Sequence, residues 1–165
     1  MPPRPVQIAV VGAGTCGADL AEAARAVGRE LARAGAVVLT GGRTGVMEAA
    51  SAGAREAGGL TVGILPGAGA AESPPNPAVQ VALYTGLGQA RNQVLVLSAE
   101  AVIAVGGAWG TLNEIALALK HRIPVVTLKS WDLRRPDGRD EPLLTRAETA
   151  EEAVRLALQA ARKAQ

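Results

Sequence analysis

Three glycine-rich turns carry the residues whose types and spacing suit chemistry. The third, Gly106-Gly107-Ala108-Trp109-Gly110-Thr111, follows the apolar run Val102 to Val105 and precedes Glu114. A continuous, β-branched run of that kind reads as a strand covered on both faces. The glycines let backbone N–H groups come close to a ligand. A helix opening on Thr111 aims its positive dipole end and its unpaired N–H groups back at the turn, a setting for an anion and above all for phosphate. A plainer reading uses the same letters: Thr111 and Glu114 form a Thr-x-x-Glu capping box that only stabilises the helix start. This segment alone leaves both readings open.

The first turn, Gly12-Ala13-Gly14-Thr15-Cys16-Gly17, matches the G-x-G-x-x-G dinucleotide fingerprint. That fingerprint also requires an acidic residue at the end of the second strand, to hold a ribose. Here the second strand ends Leu39-Thr40-Gly41-Gly42 without a carboxylate, so an NAD(P)-dependent oxidoreductase is a remote alternative. The second turn is Gly41-Gly42-Arg43-Thr44-Gly45. In an open parallel sheet, ligands bind beyond the carboxyl ends of the strands. Three N–H-lined turns at one such edge suit a ligand with a phosphate and a sugar.

The elements that must position these turns alternate. Strands are expected at Val6–Val11, Ala36–Thr40, Leu60–Leu65, Val79–Tyr84, Val102–Val105 and, as the last clear one, Val125–Leu128. Helices are expected over Asp19–Ala34, Val46–Ala57, Gly88–Ser98 and Leu112–His121, with a final amphipathic helix capped by Thr149. The alternation predicts a single Rossmann-like α/β domain, an open parallel sheet with helices on both faces. Pro66 to Pro77, rich in Gly, Ala and Pro, is a candidate lid. Arg134 to Glu141 reads as a surface turn. The helix from Leu112 to Leu119 is nearly all apolar, more than one sheet-facing stripe needs, and a second copy of the chain is the simplest cover.

Composition narrows the classes. The core must be built from Ala, Val, Leu and Ile, because the chain has no Phe, one Tyr and two Trp. Seventeen basic against fifteen acidic residues leave a net charge of +2 without a basic run, which argues against nucleic acid as the main partner. Cys16 is the only cysteine, excluding an intramolecular disulfide and a cysteine metal cluster. It lies near a helix N-terminus, where a thiolate is favoured, although a small buried residue is the preferred reading. No metal site is expected. The N-terminal residues run straight into a strand pattern, and Glu100 interrupts the longest apolar stretch. A soluble cytoplasmic protein that neither spans nor binds a membrane is therefore expected.

Gly-Gly-x-Thr-Gly-Val-Met at Gly41 to Met47, Arg91, and Gly-x-x-Gly-Thr-x-x-Glu at Gly107 to Glu114 resemble the Lonely Guy superfamily over roughly Ile8 to Leu128. Thr-Gly-Leu-Gly-Gln-Ala-Arg-Asn at Thr85 and Val-Gly-Gly-Ala-Trp-Gly-Thr at Val105 point within it to the branch of the molybdenum cofactor carrier proteins. For the enzymes of the superfamily, the resemblance implies hydrolysis of the N-glycosidic bond of a nucleoside 5′-monophosphate, with Arg91 and Glu114 as the catalytic pair. A carboxylate at Glu114 suits the positive charge that builds on the ribose. For the carrier branch it implies a bound molybdenum cofactor or similar phosphorylated nucleotide-type ligand, held without cleavage. In either case Gly12, Gly14, Thr15, Gly41, Gly42, Thr44, Gly45, Asn92, Gly106, Gly107, Gly110 and Thr111 form the expected phosphate and nucleotide cradle. A homodimer or dimer of dimers is the implied assembly.

Two departures bear on turnover. Gly106 and Ala108 replace the Pro and second Gly of the signature, and Asn92 stands where many of the enzymes have Lys. The lysine decarboxylase label often given to the superfamily finds no support, because Lys120, Lys129 and Lys163 are the only lysines and none lies in a glycine turn. His121, the only histidine, reads as a helix C-terminal residue. Trp109 is free to stack on a base, to cover the loop or to line a dimer seam.

Overall fold

The alternating apolar segments assemble into one seven-stranded sheet in a computed structural model that describes residues 4–163. The strands are β1 (Gln7–Gly12), β2 (Val37–Thr40), β3 (Thr61–Leu65), β4 (Val81–Tyr84), β5 (Ala101–Val105), β6 (Val125–Leu128) and β7 (Leu144–Ala147). Their spatial order is β4-β3-β2-β1-β5-β6-β7, and every adjacent pair is parallel. The helices are α1 (Ala18–Arg33), α2 (Val46–Glu56), α3 (Arg91–Leu97), α4 (Trp109–Lys120) and α5 (Ala150–Lys163). This is the Rossmann-like α/β architecture that the pattern predicts. No helix of the described residues is long and apolar enough to cross a membrane.

Alternation along each strand builds two cores. Ile8, Val10, Val38, Ile103, Val105, Val126 and Leu128 face α1, α2 and α5, whereas Ala9, Val11, Leu39, Val102 and Ala104 face α3 and α4. Small residues let the layers approach closely without aromatic filler. Gly28 on α1 lies against the Ala50 carbonyl of α2, and Gly53 on α2 lies against that of Arg25, so that a Cβ at either glycine would collide with backbone.

The strand order fixes where a ligand can sit. From β1 the chain winds outward through β2 and β3 to β4, then returns to place β5 on the other side of β1. At that switch point neighbouring connections leave in opposite directions and open a crevice beyond the carboxyl ends of β1 and β5. The first and third glycine turns meet there.

Three expectations change. β7 was not foreseen: it is an edge strand with Thr145 and Arg146 exposed, so its letters lack the apolar run of a central strand. The segment from Pro66 to Pro77 is no free lid. The Gly42 carbonyl accepts from the Asn76 N–H at 2.9 Å, the Asn76 amide donates to the Arg43 carbonyl at 2.7 Å, and Ser73 is buried against Arg43. Finally, α4 starts at Trp109 with Ala108 as its N-cap, not at Thr111.

Candidate functional site

That shift of two residues alters the chemistry of the third turn. Thr111 lies inside the first turn of α4, where its hydroxyl accepts only a long 3.4 Å bond from the Ala108 N–H. Glu114 is one turn deeper and 7% exposed. The Thr111–Glu114 capping box therefore does not form, and Glu114 turns into the crevice. Gly106 (φ 57°) and Gly107 (φ 139°) take backbone conformations that an L side chain rarely adopts. A Cβ on Gly107 would also stand 2.8 Å from Thr111.

The crevice is a cavity of about 440 Å³ lined by Gly12, Ala13, Gly14, Thr15, Met47, Arg91, Asn92, Ala108, Gly110, Thr111 and Glu114. The N-terminus of α4 opens on it, opposite the Gly12–Thr15 turn that leads from β1 towards α1. Among the described residues, no backbone acceptor meets the N–H groups of Gly14, Thr15, Gly110 or Thr111. These donors and the dipole of α4 are the groups that suit an oxyanion. A hollow of similar size, about 460 Å³, opens at the opposite edge of the sheet around Pro124, Leu143 and Leu156. It has no glycine turn and no cluster of free N–H donors, so the chemistry points to the crevice.

Arg91 is held from behind. Its Nη1 donates to the carbonyl oxygens of Gly41 and Ile64, while its Nε is buried without a partner. Burial lowers the guanidinium from its ordinary pKa, against the opposing pull of Glu114. Burial likewise pushes the Glu114 carboxyl up to about 7, with Arg91 resisting. On the adjoining rim the Asn92 Nδ2 donates a hydrogen bond to the Asn113 Oδ1 at 3.1 Å.

The structure brings Gly12, Gly14, Thr15, Arg91, Asn92, Gly110, Thr111 and Glu114 to this one cavity. Gly41, Gly42, Thr44 and Gly45 stand behind it. Gly41 leaves room for the Arg91 guanidinium and the Met47 thioether, and Gly42 packs on Leu65. Thr44 donates to the Gly14 carbonyl at 2.7 Å, and Gly45 is the N-cap of α2, whose Val46 N–H reaches the Ala13 carbonyl at 3.1 Å. The second turn thus braces the first. Gly106 and Gly107 border a separate hollow. Met47, the last residue of the Gly-Gly-x-Thr-Gly-Val-Met motif, also lines the crevice, although it is not among the expected cradle residues. Cys16 is half-buried against the core, and Trp109 is 76% exposed, its ring centre 5.5 Å from that of Trp131.

Residues 5–162 match the SLOG cluster4 family, nearly the whole described chain. The chain belongs to that family. The molybdenum cofactor binding protein of the phototrophic bacterium Rippkaea orientalis is 40% identical, with a TM-score of 0.85 over 94% of this chain and 97% of that one. The molybdenum cofactor carrier protein of Chlamydomonas reinhardtii is 36% identical, with a TM-score of 0.81 over 94% of this chain and 98% of that one. A protein of Archaeoglobus fulgidus is 43% identical over 124 residues, 75% of this chain and 80% of that protein. This SLOG chain thus shares its crevice-forming sheet, nearly end to end, with proteins named for molybdenum cofactor binding.

Proposed function

We propose that this SLOG protein is a carrier that binds the molybdenum cofactor, or a closely similar phosphorylated nucleotide-type ligand, in the crevice beyond β1 and β5. The observation that carries this reading is the set of unpaired N–H donors from the first glycine turn and the α4 N-terminus around a half-buried Arg91. A phosphate entering there gains backbone hydrogen bonds and a cation without requiring the site to reorganise. The likeness to the Rippkaea and Chlamydomonas proteins supports the choice of ligand.

The second reading, a nucleoside 5′-monophosphate phosphoribohydrolase, has one observation in its favour: Arg91 and Glu114 share the cavity. Two others favour the carrier. Arg91 is anchored on backbone carbonyls, and a Glu114 carboxyl with a pKa of about 7 is only partly ionised at neutral pH, a weak partner for a cationic sugar. Calorimetry with the molybdenum cofactor and with a panel of nucleoside monophosphates, alongside chromatography for free base, separates the two. The carrier reading expects binding without base release. Base release abolished by Glu114→Gln would establish the hydrolase.

The assembly proposed with it is a homodimer. Uncovered apolar side chains lie on α3, on the sheet edge and at the start of α4: Val81, Leu83, Tyr84, Val94, Leu97 and Trp109 are exposed, whereas Ile115 and Ala118 of α4 are buried. Exposed apolar side chains in this number favour a second copy as their cover.

A further inference from the structure

The Gly106–Gly107 turn borders a second hollow, of about 340 Å³, completed by Lys129, Ser130, Trp131 and Asp132 just beyond β6. The end of β6 is tied to the turn, because Gly106 donates its N–H to the Leu128 carbonyl at 3.0 Å. Lys129 follows with φ 51°, a left-handed conformation uncommon for a non-glycine residue. Its ammonium is exposed and makes no ion pair with another described residue. The Ser130 hydroxyl oxygen is buried and has no hydrogen-bond partner, an arrangement that calls for a missing acceptor. The Gly107 N–H likewise meets no backbone acceptor among the described residues. Trp131 stands on this rim with the Trp109 ring centre 5.5 Å from its own, and its Nε1 donates to the Ala108 carbonyl at 3.4 Å.

We propose that this hollow is a second anion subsite, and that the physiological ligand bears two linked phosphates, as in a nucleoside diphosphate or a pyrophosphate-bridged dinucleotide. The inference rests on the crevice being the site of the first phosphate. The two hollows are lined by successive residues of one turn: Gly106 and Gly107 on one, Ala108, Gly110 and Thr111 on the other. Successive Cα atoms are ~3.8 Å apart, a spacing on which a pyrophosphate can engage both sets of donors. Lys129 supplies the charge and the Gly107 N–H a fixed donor, while rotation about χ1 offers the Ser130 hydroxyl the acceptor it lacks. Asp132 is the only acid of the lining; exposed on the rim, it weakens anion binding without blocking it. The tilted indole pair gives a dinucleotide's second base an apolar wall.

Calorimetry on the full chain with guanosine and adenosine monophosphates, the matching diphosphates and a dinucleoside diphosphate tests the subsite. Diphosphates should bind about tenfold tighter than monophosphates, the increment of one charge-assisted hydrogen bond. Lys129→Gln should remove that gain and leave monophosphate affinity unchanged, and Asp132→Asn should enlarge it. A further tightening with the dinucleotide, with a change in tryptophan fluorescence, identifies the dinucleotide arm. Equal affinity for mono- and diphosphates, or Lys129→Gln weakening both alike, would overturn the subsite while leaving the crevice reading intact. No binding by any of these probes would overturn the subsite, and the crevice reading falls as well only if the molybdenum cofactor also fails to bind.

Discussion

Arg91 and Glu114 line one cavity without forming an ion pair: the arginine directs Nη1 at the carbonyl oxygens of Gly41 and Ile64, and the carboxyl stays buried. Each charge is thus only partly compensated. The cavity presents a guanidinium beside a carboxyl that burial pushes up to about 7.

The raised Glu114 pKa makes stability depend on pH. Its folded value of about 7 lies above the ordinary 4.5, so the stabilising contribution is complete below the ordinary value and is lost as pH rises through about 7. Glu114→Gln mimics the protonated form. It should be more stable than the parent above neutrality by about 3 kcal/mol, a gap closing below about pH 5. Urea denaturation across that range measures it; an unchanged gap would sink the assignment.

Ligand binding should take up protons. A phosphate beside Glu114 raises the carboxyl further, so the complex favours the protonated form. Affinity for a phosphorylated ligand should fall as pH rises through about 7, the region of the free protein's Glu114 pKa. Calorimetry in buffers of different ionisation heat reads the proton directly, and proton release on binding would contradict the prediction.

Arg91→Ala removes a donor from two backbone carbonyls as well as the charge. A stability loss of about 1–3 kcal/mol is expected, with a larger fractional loss of ligand affinity. Arg91→Lys should recover stability in part and affinity poorly, because an ammonium lacks the planar fork of donors. Equal affinity for the lysine variant and the parent would show that only charge matters.

Thr44→Val tests the brace between the second and first turns. It removes the 2.7 Å bond to the Gly14 carbonyl without touching the cavity wall. Stability should drop by roughly 0.5–1 kcal/mol, and ligand affinity should fall through looser placement of Gly14 and Thr15. Parent-like affinity would show that the first turn holds its shape unaided.

The apolar face of α3 predicts the oligomeric state. Val94→Glu combined with Leu97→Glu places charges where exposed side chains await a partner. Light scattering should find a dimer for the parent and a monomer for the double variant, with the far-UV spectrum unchanged. A monomeric parent would remove the homodimer.

By itself the sequence determined the alternation of strands and helices and the positions of the three glycine turns. These are written in local signals: apolar runs for covered strands and glycines where the backbone turns sharply. The tertiary structure decided what local signals cannot encode. Strand order placed the first and third turns at one crevice and set the second behind it as a brace, because register and crossover depend on contacts far apart in sequence. It also decided that β7 exists, since an exposed edge strand is specified by its pairing with β6 and not by its own residues. Burial did the same for Glu114. The letters Thr-x-x-Glu are those of a capping box, and only the start of α4 at Trp109 turned the carboxyl inward to face Arg91's cavity.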